Sequence, residues 1–249
     1  MINVKSKKEI ELMRVAGRIT AETLQLLEEN IKPGITTFEL DKIAEKFIRK
    51  NDCIPSFKNY GGFPGSICAS VNNVVIHGIP SHKVVLKEGD IISIDCGANY
   101  KGYHGDAART FAVGNISEDA KKLIEVTKDC FFQGLKFCRE GFRVSDISNA
   151  VQLRAEKEGY GVVRDFVGHG IGTALHESPE VPNYGNPGRG ARLVAGMTVA
   201  IEPMINAGDY RVRVLEDDWT TVTQDGCLSA HYENTVLITG DEPELLTIY

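Results

Sequence analysis

Apolar residues recur at helical spacing in two stretches near the start of the chain, and each stretch begins with a capping box. Ser6 and Glu9 form the first box, and the apolar positions after it lie three and four residues apart until the Lys-Pro-Gly at residues 32–34. Thr36 and Glu39 form the second box, again directly before an apolar periodic run. The pattern predicts two successive helices.

Shorter apolar runs separated by turn residues follow, which is typical of β-strands. The strands expected in the first half are Ile67–Val71, Val74–His77, Ile91–Cys96 and Tyr103–Val113. The chain then returns to helical spacing, with one helix capped by Ser117 and another that follows Ser145. The strands expected after these helices are Val162–Val167, Thr198–Ile201, Trp219–Val222 and Tyr232–Ile238.

Two helices followed by a run of strands therefore occur twice, which predicts an α+β fold of two α/β halves. We expect the halves to be related by a pseudo-twofold axis and to share one central site. A doubly wound parallel sheet is disfavoured, because the strands come in runs and do not alternate with helices. No linker or low-complexity segment divides the chain, so residues 1–249 are expected to form a single domain.

The composition is ordinary for a soluble globular protein, with 42% hydrophobic and 25% charged residues. The 28 basic and 34 acidic residues give a net charge of −6, so we expect no direct binding to nucleic acid or to an anionic membrane. Charged residues from Lys5 to Glu11 precede any apolar run, and no apolar stretch is long enough to span a membrane, so we expect no secretory signal and no membrane anchor. The six cysteines form no C-x-x-C pair, which favours reduced thiols in the cytoplasm.

Four acidic residues stand at the edges of apolar strand segments: Asp95 and Asp106 in the first half, Glu202 and Glu233 in the second. A single acid at a strand end is usually solvated or paired with lysine or arginine. An unpaired carboxylate in an apolar setting costs several kcal/mol, so four together indicate a shared cation. His169, flanked by two glycines, is a candidate nitrogen ligand, and a hydrogen-bonded structural histidine is an equally frequent alternative.

Four carboxylates and an imidazole suit harder divalent ions such as Mn²⁺, Fe²⁺ or Co²⁺ better than a closed structural zinc site. Bridging carboxylates can hold two such ions roughly 3.5–4 Å apart, and a water between them becomes a nucleophile near neutral pH. His77 and His176 then remain for a carbonyl oxygen or a leaving nitrogen.

Other motifs in the sequence are incomplete. His176-Glu177 lacks the second histidine of a zincin, and Pro179 would break the helix that has to carry it. Residues 168–173 resemble a dinucleotide loop, but they lack its third glycine and the acidic residue that follows. A P-loop and a G-x-S-x-G nucleophile elbow are both absent from the sequence.

Five ordered motifs together resemble type I methionine aminopeptidases, which have the pita-bread fold. They are Val75–Pro80, Asp95 with Gly102–Arg109, Gly168–Gly172 with His176–Pro179, Met197–Pro203, and Ser229-Ala230 with Glu233. The resemblance covers nearly the whole chain. It implies a dinuclear metallopeptidase that removes the initiator methionine from nascent proteins when the second residue is small.

The resemblance also implies roles for individual residues. The implied metal ligands are Asp95, Asp106, His169, Glu202 and Glu233. Asp106 and Glu233 would bridge two divalent ions, which are Co²⁺, Mn²⁺, Fe²⁺ or Zn²⁺, and Glu202 would also move a proton.

His77 and His176 would contact the peptide bond and stabilise its tetrahedral intermediate. The implied methionine pocket consists of Phe57, Tyr60, Phe63, Cys68 and Trp219, for whose aromatic members plain core packing is the alternative. Relatives often carry glutamine at His231 and histidine at Asn234, and both positions flank Glu233, where they can change the preferred metal.

The resemblance further implies a cytoplasmic monomer whose partners are nascent polypeptide N-termini at the ribosome. Two alternatives share the same fold. A proline-directed dipeptidase or aminopeptidase usually carries an additional N-terminal domain, whereas the first helix here begins by about residue 6. A non-catalytic binding protein is expected to lose metal ligands, and all five are present.

Overall fold

Two helices followed by a run of strands occur twice in the structure, as the sequence predicts. The structure is a computed structural model that describes residues 2–248. The helices of that part of the chain are α1 (Lys7–Asn30), α2 (Thr37–Lys50), α3 (Glu118–Leu135) and α4 (Val144–Lys157). The strands of the first half are β1 (Ile54–Pro55), β2 (Ile67–Val71), β3 (Val74–Ile76), β4 (Ile91–Tyr100) and β5 (Tyr103–Ala112).

The second half has more and shorter strands than the first. They are β6 (Gly161–Val162), β7 (Gly168–Gly170), β8 (Glu177–Val181), β9 (Thr198–Ile201), β10 (Met204–Asn206), β11 (Val212–Val214), β12 (Thr221–Thr223), β13 (Ser229–His231), β14 (Asn234–Leu237) and β15 (Glu244–Leu245). Among these strands, β7, β8, β10, β11, β13 and β15 were not predicted from the sequence, and the predicted strand Val162–Val167 is wrong beyond Val162.

Side-chain caps fix where the helices begin. The Glu9 carboxylate accepts a hydrogen bond of 2.7 Å from the Ser6 N–H, and the Thr36 hydroxyl accepts one of 3.1 Å from the Glu39 N–H, which confirms both capping boxes. The predicted start of α4 after Ser145 is wrong. The helix begins at Val144, because the Arg143 N–H donates to the Asp146 carboxylate at 2.8 Å.

The first half is a four-stranded sheet covered by α1 and α2. Strand β4 lies between β1 and β2 and also pairs antiparallel with β5 along the whole of both strands. Leu24 and Leu27 of α1 and Leu40 of α2 pack with Ile92 and Ile94 of β4 in one buried cluster. Burial of these side chains drives the helices onto the sheet.

In the second half, α3 and α4 pack against two sheets. One sheet has the order β15-β14-β9-β7-β8, and the other has the order β13-β10-β6. The predicted strand Tyr232–Ile238 is confirmed over Asn234–Leu237 and is wrong at Tyr232, Glu233 and Ile238. Strand β13 ends at His231 and β14 begins at Asn234 in a different sheet, so Tyr232 and Glu233 form the crossing between the sheets.

Close backbone contact joins α1 to β5 and to Leu246, which directly follows β15. A Cβ atom on Gly17 would lie 2.1 Å from the Leu246 carbonyl oxygen, and one on Gly105 would lie 2.7 Å from the Cα atom of Gly17. Only glycine fits at both positions. Within residues 2–248, none of the helices combines the length and the apolar character that crossing a membrane requires.

Candidate metal centre and substrate cavity

A cavity of about 250 Å³ lies where the two halves meet. Every residue that the sequence analysis places in the site lines this cavity: Phe57, Tyr60, Phe63, Cys68, His77, Asp95, Asp106, His169, His176, Glu202, Trp219 and Glu233. The sequence analysis missed one further lining residue, Leu175. Its signal is weak, since it is a single apolar residue directly before His176.

Two of the acids come from the β4–β5 hairpin. Asp95 lies opposite Ala108, and Asp106 lies opposite Gly97, so both carboxylates project from the same face of the hairpin. The expectation that these two acids stand at strand edges is wrong, because β4 continues to Tyr100 and both aspartates lie inside their strands.

The other two acids stand at strand ends in the second half. Glu202 directly follows β9 and Glu233 directly precedes β14. Asn234 pairs with Ile201, so the two glutamates are the next residues along two neighbouring antiparallel strands. The Glu233 N–H donates to the Ala108 carbonyl of β5 at 2.9 Å, which joins Glu233 to the hairpin of the first half.

Strand β7 brings His169 between these acids. A Cβ atom on Gly168 would lie 2.4 Å from the Ala200 carbonyl oxygen, so a larger residue cannot pair this closely with β9. His169 Nδ1 lies 2.9 Å from the Gly170 carbonyl oxygen, which can only accept, so the ring proton is on Nδ1. The unprotonated Nε2 faces the carboxylates, 3.5 Å from Glu202 Oε1 and 3.9 Å from Asp106 Oδ2.

The electrostatics of the four acids is unfavourable without a cation. Burial raises the pKa of each carboxyl, and the charges of the neighbouring acids raise the pKa of Asp106, Glu202 and Glu233 further. Among the ion pairs of residues 2–248, none joins these acids to a lysine or an arginine.

Three carboxylate oxygens at the centre, Asp95 Oδ1, Asp106 Oδ1 and Glu233 Oε1, are buried and have no hydrogen-bond partner within residues 2–248. Asp106, His169 and Glu233 each offer an atom that lies within 4.8 Å of the others. Unpaired carboxylate oxygens around an imidazole nitrogen are a donor set that fits a divalent cation.

His77, in the first half of the chain, and His176, in the second half, both line the cavity. His77 directly follows β3 and has a left-handed backbone with φ of 58°, and its ring packs edge-on against Phe166 at 5.5 Å. His176 Nδ1 lies 2.7 Å from the Tyr60 hydroxyl, and its ring centre is 4.2 Å from that of His169. Burial lowers the pKa of His77 to about 4 and also lowers that of His176, so both rings are neutral at pH 7.

His231 and Asn234, which flank Glu233, are both buried. His231 Nε2 lies 3.9 Å from Glu233 Oε2 and has no hydrogen-bond partner among residues 2–248. The Asn234 side-chain oxygen accepts from Arg109 Nη2 at 2.7 Å and from the Thr247 hydroxyl at 3.0 Å. Arg109 also donates to the Glu233 carbonyl, so it holds the crossing between β13 and β14.

Comparisons with known proteins agree with this geometry. The profile of metallopeptidase family M24 matches residues 11–240. The methionine aminopeptidase of Clostridium acetobutylicum is 61% identical over 248 residues, which are 100% of this chain and 99% of that protein. The crystal structure of methionine aminopeptidase from Thermotoga maritima matches with a TM-score of 0.98 at 45% identity and covers 100% of both chains.

A more distant structure shares the fold alone. The prolidase from Pyrococcus furiosus matches with a TM-score of 0.77 at 24% identity, over 99% of this chain and 65% of that chain. These neighbours confirm the predicted pita-bread fold. The resemblance to methionine aminopeptidases is also confirmed, and the chain belongs to metallopeptidase family M24.

Proposed function

We propose that this protein is a metal-dependent aminopeptidase that removes the N-terminal methionine from nascent polypeptides whose second residue is small. The observation that carries the proposal is a single cavity in which four carboxylates and His169 lie beside an aromatic pocket. Membership of family M24 and the 61% identity to a methionine aminopeptidase support it.

We propose two divalent ions per chain. The residues that would hold them are Asp95, Asp106, His169, Glu202 and Glu233. When bound, the ions supply Lewis acidity, which lowers the pKa of a water molecule toward neutrality and stabilises negative charge on a carbonyl oxygen. Mn²⁺, Fe²⁺, Co²⁺ and Zn²⁺ are the candidates.

Three side chains of the cavity would transfer a proton or donate a hydrogen bond, and one of them, Glu202, does so in addition to holding a metal. Glu202 would accept a proton from the attacking water and return it to the leaving amine. His77 and His176 are neutral, so each can donate a hydrogen bond to the peptide group as charge develops on it. The Tyr60 hydroxyl orients the His176 ring.

The methionine side chain would occupy the apolar end of the cavity. Phe63 and Trp219 meet edge-on there, with ring centres 5.1 Å apart, and Phe57 and Cys68 complete the walls. An unbranched thioether fills such a slot and makes favourable contacts with aromatic rings.

We place this activity in the cytoplasm, in a monomer whose residues 1–249 form one catalytic domain that meets its substrates at the ribosome. All six cysteines are free thiols, five of them buried, which fits a reducing compartment.

The test is turnover by metal-depleted protein after each candidate ion is added back. We expect cleavage of a Met-Gly peptide with metal only, and slower cleavage of a Met-Leu peptide. Preferential hydrolysis of a dipeptide with proline in second position would instead show a proline-directed enzyme. Full activity in a verified metal-free sample would contradict the proposal, and metal binding without turnover of any peptide would show a binding protein.

A further inference from the structure

The segment before α1, residues 2–6, packs against the loop that carries His176. The Lys5 N–H donates to the Gly196 carbonyl oxygen at 2.8 Å, which anchors this N-terminal arm to the second half of the fold. The Lys5 side chain is 5% exposed, and its Nζ lies 2.7 Å from Glu177 Oε2, in a side chain that is 7% exposed. This ion pair is therefore buried, in contrast to the surface pairs on the helices.

The Glu177 carboxylate holds both the arm and the loop. Its Oε1 atom accepts from the Ala174 N–H at 3.2 Å and from the Thr173 hydroxyl at 3.4 Å. Its Oε2 atom accepts from Lys5 and from the Asn3 amide at 3.2 Å. The carboxylate thus closes the turn that immediately precedes His176.

The start of this loop, at Gly172, is also held by a hydrogen bond and by close packing. The Gly172 carbonyl accepts from the His104 N–H at 2.9 Å. A Cβ atom on Gly172 would lie 2.5 Å from Lys5 Cε and 2.6 Å from Glu177 Oε1, so only glycine lets the lysine reach its partner. The loop between Gly172 and Glu177 is held at both ends, and His176 projects from it toward Tyr60.

We propose that Lys5 is a positioning residue, which acts on the reaction through the Lys5–Glu177 pair by fixing where His176 stands. This inference rests on the proposed function, because it takes His176 as a group that contacts the peptide. Without Lys5, the Glu177 carboxylate would be buried without a cation, which is strongly unfavourable, and the turn would move to solvate it. A displacement of about 1 Å at a group that acts on the substrate can lower a rate by on the order of 100-fold.

The first experiment compares Lys5→Met with Lys8→Met in the metal-loaded enzyme. Methionine keeps the apolar stem of Lys5 and removes its charge, and Lys8 is an exposed lysine in the first turn of α1. We expect Lys5→Met to lower kcat by about 10- to 100-fold with little change in KM, at unchanged metal content. Lys8→Met should match the wild type.

A double-mutant cycle tests whether the pair is the cause. Glu177→Gln keeps an acceptor for the Ala174 N–H but removes the buried charge. If the pair acts as a unit, adding Glu177→Gln to Lys5→Met will lower kcat no further, because no unpaired charge is then left in the interior. Additive losses would contradict the proposal.

The second experiment observes His176 directly by NMR of the histidine ring nitrogens in metal-free protein, with His176→Asn to assign the signal. We expect Lys5→Met to shift the His176 resonance and to leave His82, which packs on Phe38, unchanged. A wild-type kcat in Lys5→Met would overturn the proposal, as would an unmoved His176 signal in a variant that is only less stable. If Lys5→Met does not fold, Glu177→Gln is tested in its place. A wild-type kcat or an unmoved His176 signal in that variant would likewise overturn the proposal.

Failure of the proposed function is recognised separately. A wild-type enzyme that cleaves no Met-Gly peptide with any candidate metal would refute that function, whereas the NMR shift would still report whether Lys5 fixes His176.

Discussion

Asp106 lies at the point where the two halves of the fold meet. Its backbone N–H donates to the Thr235 hydroxyl at 2.9 Å, and that hydroxyl donates back to the Asp106 carbonyl oxygen at 2.9 Å. Its carboxyl is buried, and both burial and the Glu233 charge raise its pKa. The backbone of Asp106 therefore stabilises the contact between the two halves, and its side chain is a proposed metal ligand.

Replacing Asp106 by asparagine should separate these two roles. We expect the variant to fold, to lose at least one metal ion per chain and to lose most of kcat, because a neutral amide is a poor bridge between cations. Without metal it should melt at a higher temperature than the metal-free wild type, because one buried acid has been removed. Elemental analysis, melting temperature and kcat test this, with the exposed Asp241→Asn as control. Two bound ions and a wild-type rate would show that Asp106 is not the bridge.

His77 allows a test of chemistry against backbone conformation. His77→Ala should keep its metal content while kcat falls by ~10²–10³, which is the usual effect of losing one transition-state hydrogen bond. His77→Asn should be the more stable variant, because asparagine tolerates the positive φ of 58° better than alanine does. If both variants are slow and only alanine is unstable, then the imidazole is what the reaction needs. Normal turnover by the folded fraction of either variant would instead make His77 a core residue.

Elements whose signals are local were predictable from the sequence. The capping boxes at Ser6 and Thr36 consist of contacts three residues apart, so the sequence contains both partners of each. The start of α4 was missed because Asp146 caps a backbone N–H at Arg143, where no serine or threonine marks the helix start.

Elements that depend on a distant partner were not predictable. Gly168 and Gly170 have poor strand propensity, and β7 exists because β8 and β9 enclose it. The predicted strand at residues 232–238 starts too early, because the Glu233 N–H donates to the Ala108 carbonyl and Tyr232 and Glu233 form the crossing between two sheets. The acids of the site were predictable because charged residues beside apolar strands need a partner, whereas Leu175 has no such signal.

The close contact of α1 with the C-terminal strand predicts a large effect of a small substitution. Gly17→Ala places a Cβ atom 2.1 Å from the Leu246 carbonyl oxygen, so the strand has to move. We expect a loss of about 1–3 kcal/mol in the free energy of unfolding, as in other overpacked sites. Gly240→Ala is the matched control, because its Cβ atom would have no neighbour within 4 Å. Denaturant unfolding measures both, and equal stability would refute the steric argument.

At the scale of the whole molecule, pH and metal act on the same acids. Burial raises the pKa of Asp95 to about 7, far above its value in the unfolded chain. Such a group stabilises the fold fully below its unfolded pKa, and this contribution is lost as the pH rises through the folded pKa. The contributions of His77 and His169 to the stability of the fold depend on pH with the opposite sign. Their pKa falls from 6.5 to about 4, so their contribution is lost only as the pH falls below 6.5.

The metal-free protein should therefore lose stability between pH 6.5 and about pH 8, where only the acids change their charge relative to the unfolded chain. The slope is about 1.4 kcal/mol per pH unit for each proton involved. The metal-loaded protein should show no such loss, because the cation keeps the carboxylates ionised in the folded state. Urea unfolding at several pH values measures both forms, and parallel curves would contradict the prediction.

The division of the acids, two from β4–β5 and two from β9 and β14, also has a consequence for engineering. A chain cut between β5 and α3 would leave two fragments, one with two of the five proposed ligands and the other with three, and each with its own helix pair. The pairing of β3 with β12, the contact of α1 with Leu246 and the Asp106–Thr235 and Glu233–Ala108 hydrogen bonds would hold the fragments together. A divalent ion bound by residues of both fragments would strengthen their association, so a split version of this protein with a fluorophore on each fragment would report the concentration of free metal.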